Sequence, residues 1–81
     1  MAPLGQEGSP ERPHPLVGVR GVVTTTIPAG GLGEVRVPLR SGGTSTYGAY
    51  STVRAVPVPS GTGVVVVEVF LPRTLVVQPD A

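Results

Sequence analysis

An 81-residue chain of 8.2 kDa has room for one domain, and its 12 Gly and 10 Pro pull toward low complexity while 16 Val and 8 Thr pull toward pleated sheet. Apolar residues make up 40% of the chain and charged ones only 14%, which is not the polar, highly charged mixture that stays unfolded. The net charge is +1, carried by six Arg with no Lys, so there is no strong electrostatic footprint for nucleic acid or anionic lipid; with no Cys, disulfides, thiolate nucleophiles and thiolate metal sites are excluded.

Residues 1–15 hold four prolines and no hydrophobic period, and they read as a disordered leader or linker. His14, the one histidine, lies there between Pro13 and Pro15, as a solvated linker residue. A metal site needs three or four convergent ligands, so no metal and no cofactor is expected.

The pattern changes at Leu16. Residues 16–27 alternate, with Val17, Val19, Gly21, Val23, Thr25 and Ile27 on one face and Val22 on the other. Twelve residues is long for a strand, so it should bend, with Gly18 and Gly21 as bend or bulge points. Pro28 and the glycines after it end the strand. Residues 33–40 form the second strand, with Val35, Val37 and Leu39 inward and Glu34, Arg36 and Arg40 in water. Pro38 there should point its missing donor away from any ladder.

The third run is weaker. Its best strand portion is 46–54, with Gly48 as another bulge candidate, and Pro57, Pro59 and Gly61 follow as turn chemistry. Residues 63–70 are a nearly continuous apolar run, expected to be buried on much of both faces, and 74–79 form a terminal strand before a short tail at 80–81. No segment carries a helical stripe and no apolar run approaches a membrane span, the longest pure Val run being 64–67. Five strands in so short a segment predict an all-β fold, a small closed or partly closed barrel over 16–79. Closure removes the exposed edges that a Val-rich sequence tolerates badly.

In order, the chain carries Gly18, Gly21, Thr25, Ile27-Pro28-x-Gly30, Gly33-x-Val35-x-Val37, Ala49, Pro59-x-Gly61-Thr62-x-Val64-x-Val66 and Leu75-x-Val77-x-Pro79. This ordered set resembles the C-terminal soluble domain of the NfeD family, and the resemblance covers the whole predicted folded part, 16–79. It departs from the family at Leu71-Pro72-Arg73, where a Gly is common, and around Tyr47 to Tyr50.

The resemblance implies a five-stranded OB-fold barrel that acts as a bacterial protein-interaction module without chemistry of its own. It further implies a stomatin- or flotillin-type scaffold as partner, on the cytoplasmic side of the membrane if anchored or partner-bound and otherwise in the cytoplasm. Members usually carry transmembrane helices ahead of this domain. Residues 1–15 would suit a linker from such an anchor, and a stand-alone chain is the other option.

The residues on their own argue against catalysis. Of the acidic side chains, Glu7 and Glu11 lie in the leader and Asp80 in the tail, leaving Glu34 and Glu68, which nothing in the sequence brings together. Ser and Thr have no general base near them, and Gly30-Gly31-x-Gly33 precedes no helix that could face a phosphate. No small-molecule substrate is expected.

Protein binding fits better. Continuous alternation that puts Val65, Val67 and Val69 in the core turns Val64, Val66, Glu68 and Phe70 outward, with Val76 and Val22 outward on their own strands. The candidate partner surface is therefore Val22, Val64, Val66, Phe70 and Val76, with Phe70 as anchor, and the same patch suits self-association. The other reading is a single-stranded nucleic-acid binder that uses Arg36, Tyr50 and Arg54 on the outer face of strands two and three.

Overall fold

The computed structural model describes residues 14–70 and 72–80. The leader expected at 1–15 therefore falls outside the described residues, apart from His14 and Pro15. Five strands are present: β1 (Arg20–Thr25), β2 (Gly33–Pro38), β3 (Thr44–Ser51), β4 (Gly63–Phe70) and β5 (Thr74–Pro79). Among the described residues there is no helix, so none is long and apolar enough to cross a membrane.

The strands close into a barrel in the order β1-β2-β3-β5-β4, with β4 returning to β1. All pairs are antiparallel except β3 with β5. This order and the crossover over 52–62 make the barrel the OB-like one expected. The interior holds Val23, Ile27, Val35, Val37, Ala49, Val58, Val64, Val66, Leu75 and Val77. Fully burying a Val, Leu or Ile contributes about 1.5–3 kcal/mol, so this filling is the main force on so short a chain.

Closure is tight where β1 crosses β2. A Cβ on Gly33 would lie 2.6 Å from the Thr25 carbonyl oxygen and 2.7 Å from the Ile27 Cα. One on Gly21 would lie 2.7 Å from both the Arg36 carbonyl oxygen and Val37 Cγ1. Both glycines are buried on the inner face and serve as points of close approach. Gly21 keeps regular register opposite Val64, so it is not the bulge. The irregularity lies between Val23 and Thr25, which leaves Val23 inside and turns Thr25 out against the expected alternation. Gly18 does mark a bend, with φ +90°, in the turn ahead of β1. Gly48 is regular too, paired with Glu34 and Thr74.

The second irregularity corrects the reading of β4. Val66 pairs with Val77 and Glu68 with Val76, so Val67 is an extra residue without a partner. Val64 and Val66 are fully buried, at 0% exposure, and cannot belong to a partner surface. Past the bulge the parity reverses: Val69 packs against the core while Glu68 and Phe70 point to solvent. Unbroken alternation from Val64 would have driven Glu68 into the barrel. The bulge lets both apolar halves of the strand face inward and keeps the carboxylate in water.

β3 also begins and ends two to three residues earlier than expected. Ser51, itself buried, accepts the Val53 N–H on its Oγ at 2.9 Å, a local side-chain bond that turns the chain out of the ladder. Beyond it, one end of the barrel is closed by the reciprocal Ile27–Val58 bridge, with N–H to carbonyl distances of 2.9 and 2.8 Å. The lone ion pair among the described residues, Arg20–Asp80 at 3.1 Å, is solvent-exposed and adds little.

Two substitutions test this packing. Gly33→Ala should destabilise by about 1–3 kcal/mol, as overpacking does. Gly48→Ala has ordinary contact with Leu32 at 3.5 Å. Relief of the strand-glycine penalty should make that change neutral or stabilising by about 0.5–1 kcal/mol. Urea melts followed by circular dichroism check both. Val66→Asp places an uncompensated charge in the core and should abolish the dispersed amide spectrum of the folded barrel, whereas the reading of Val66 as an outward residue requires the spectrum to survive.

Candidate interaction surface

The outer face of β3, β5 and β4 is built by two cross-strand rows. Gly48, Thr74 and Phe70 form one, and Tyr50, Val76 and Glu68 the other. Phe70 is 51% exposed, while Val76, diagonal to it, and Tyr50, one strand further on, are half-buried. Leu32, in the β1–β2 loop and 52% exposed, lies over Gly48, with its side-chain carbons 3.5–3.7 Å from where a Cβ would stand. Val67, pushed out by the bulge, adds another exposed apolar side chain on β4. The result is an apolar surface of Leu32, Tyr50, Val76 and Phe70, with Glu68 as the charged group in its rows.

The five residues expected to form the partner surface are thus divided. Phe70 and Val76 share this face as diagonal neighbours. Val64 and Val66 are core. Val22 is 41% exposed but sits on β1, opposite Gly63 at the other end of β4. Seven residues of strand separate Gly63 from Phe70, about 23 Å at 3.3 Å per residue, so Val22 lies on a different part of the surface. Leu32 and Val67 were missed. Leu32 is a loop residue that comes to lie over a glycine sixteen positions away, and Val67 faces out because Val64 and Val66 face in.

Arg36, Tyr50 and Arg54 are not gathered into one groove. Arg36 points outward between Val22 and Thr46. Tyr50 lies four residues further along β3, about 13 Å away, on the face shared with Val76. Arg54 is in the β3–β4 crossover with its Nη2 3.5 Å from the Gly30 carbonyl oxygen. The arginine–aromatic pair that does form is another one, Arg73 over Tyr47, with the guanidinium carbon 4.7 Å from the ring centroid. It depends on the parallel pairing of β5 with β3, which sequence spacing does not reveal.

Glu34 and Glu68 are likewise apart, on β2 and β4 with β1 between them, about 10 Å or more at the usual strand spacing. Glu34 accepts the Thr25 hydroxyl at 2.9 Å, and its backbone carbonyl accepts the Thr24 hydroxyl at 3.3 Å. Among the described residues no group of three or more His, Cys, Asp or Glu converges to hold a metal ion.

The family model for the NfeD C-terminal domain matches residues 20–78, the whole barrel from the start of β1 to the last turn of β5. Among solved structures, the soluble domain of the NfeD protein YuaF from Bacillus subtilis is similar, with 35% sequence identity, a TM-score of 0.66, and coverage of 78% of this chain and 71% of that one. No curated protein matched the chain. With sequence, strand order and a solved relative in agreement, the chain belongs to the NfeD family and its barrel is an NfeD C-terminal domain.

Proposed function

We propose that this barrel is a non-catalytic docking module that binds a stomatin- or flotillin-type membrane scaffold protein through the outer face of β3, β5 and β4. The observation that carries the reading is the exposed Phe70 on an apolar face shared with Leu32, Tyr50 and Val76. A half-exposed aromatic ring among apolar neighbours is the usual anchor of a protein interface, because its burial yields much apolar area at small entropy cost. The scattered carboxylates, set two strands apart, support a module without chemistry of its own. Attachment to the membrane then comes through the partner or through an anchor joined to the barrel.

Phe70→Asp removes the anchor at a solvent-exposed position, so the barrel keeps its amide spectrum and melting midpoint. Capture of a purified stomatin-type protein should fall by at least about tenfold, the effect of losing one hot-spot aromatic. Capture that equals the wild type overturns the role of this face. Light scattering on the same pair of proteins separates partner docking from self-association: a mass that drops to the monomer only in the variant assigns the face to a second copy of the chain.

A further inference from the structure

The end of the barrel opposite the Ile27–Val58 bridge carries a groove of about 550 Å³. Its floor is apolar, made by Leu16, Val19, Leu39 and the Tyr47 ring, and its rim holds His14 and Arg40. One wall is the turn ahead of β1, held by Val17 N–H to the His14 carbonyl (2.9 Å), Val19 N–H to the Leu16 carbonyl (3.0 Å) and Gly18 N–H to the Val66 carbonyl (2.7 Å). The other wall is the β2–β3 turn, in which Leu39 and Gly43 bond at 3.0 Å. Both walls satisfy their own backbone groups, so the groove is preformed.

The polar groups around it are donors. His14 Nδ1 accepts the Leu16 N–H at 3.1 Å, which leaves the outward Nε2 as the donor nitrogen. Arg73 stacks on the Tyr47 ring, and its Nη2 donates to Ser45 Oγ at 3.2 Å and to the Thr46 carbonyl at 3.4 Å, so one end of the guanidinium is fixed and the rest faces solvent. Among the described residues no acidic side chain lines the groove. Of the described carboxylates, Asp80 is paired with Arg20, Glu34 with Thr25, and Glu68 lies on the outer face, so Arg40 and Arg73 have no carboxylate partner among the described residues.

We propose that this groove binds an extended acidic peptide of a partner protein, with an apolar side chain against Leu16, Val19 and Tyr47 and carboxylates at Arg40 and Arg73. Charge complementarity selects the occupant: Arg40 in the lining and Arg73 beside it on Tyr47 favour carboxylates, and the apolar lining favours a ligand that also carries aliphatic side chains. A nucleic acid strand fits less well, because the ring available for stacking already has Arg73 over one face. A small anion would use the rim and leave the floor empty.

The test is a titration of the full-length, isotope-labelled chain with a short peptide that alternates Glu with Leu and Pro. Amide shifts are expected to cluster at residues 14–19, 39–41 and 47. Arg40→Glu with Arg73→Glu should weaken binding by about tenfold or more, since each removes a charge-assisted hydrogen bond. Arg54→Glu, in the β3–β4 crossover beside Gly30, should leave it unchanged. Absence of shifts in the groove, equal binding of a peptide with Lys in place of Glu, or loss of binding in Arg54→Glu overturns the proposal. So does tighter binding of a short oligo-dT, or sodium acetate reproducing the same shifts at the same concentration, which would make the groove a nucleic-acid or a simple anion site.

Discussion

Closure of the sheet is the constraint on which everything else in this molecule depends. A five-stranded sheet of such short strands has too little area to form a stable open layer, and left open it would expose two Val-rich edges. Closing it through the β1–β4 pairing removes both edges and encloses a core of Val, Ile, Leu and Ala. Strands that coil this sharply need relief. It comes from the close approach at Gly21 and Gly33 and from the irregularities at Val23/Thr25 and Val66/Glu68.

Those irregularities also decide what the surface presents. The extra residue at Val67 lets one apolar strand turn Val64 and Val66 inward, then Val69 inward again, while Glu68 and Phe70 stay in solvent. The pairing of β5 with both β3 and β4 then sets Val76 diagonal to Phe70 and Tyr50 one strand further on, and Leu32 lies over Gly48. The same parallel pairing carries Arg73 onto Tyr47 beside the groove at the barrel's end. Each surface feature thus follows from how the sheet closes.

The outcome for individual residues follows the same logic. Val35 and Val37 are buried as alternation predicts, because β2 runs six residues without a bulge. Val64 and Val66 fall on the wrong face when one alternation is run through Val65, Val67 and Val69, because it crosses an extra residue. A run of four valines contains no chemical mark that says which one is surplus. Gly18 and Gly21 were both expected to bend β1, and only Gly18 does so. Gly21 answers a different need, the nearness of β2, which is a long-range contact invisible in local sequence.

The sequence by itself determined the class of this protein: β-branched residues in alternating runs, punctuated by Gly and Pro, leave an all-β barrel as the fold, and the order of its glycine and valine motifs places it in the NfeD family. It also determined what is scarce, with no Cys and few charges. Only the tertiary structure decided which valines are core, which arginine meets which tyrosine, and where the exposed apolar face lies. Those choices rest on a bulge and on a parallel strand pair, and both are set by the energy of closing the barrel over the whole chain, which no local window of sequence contains.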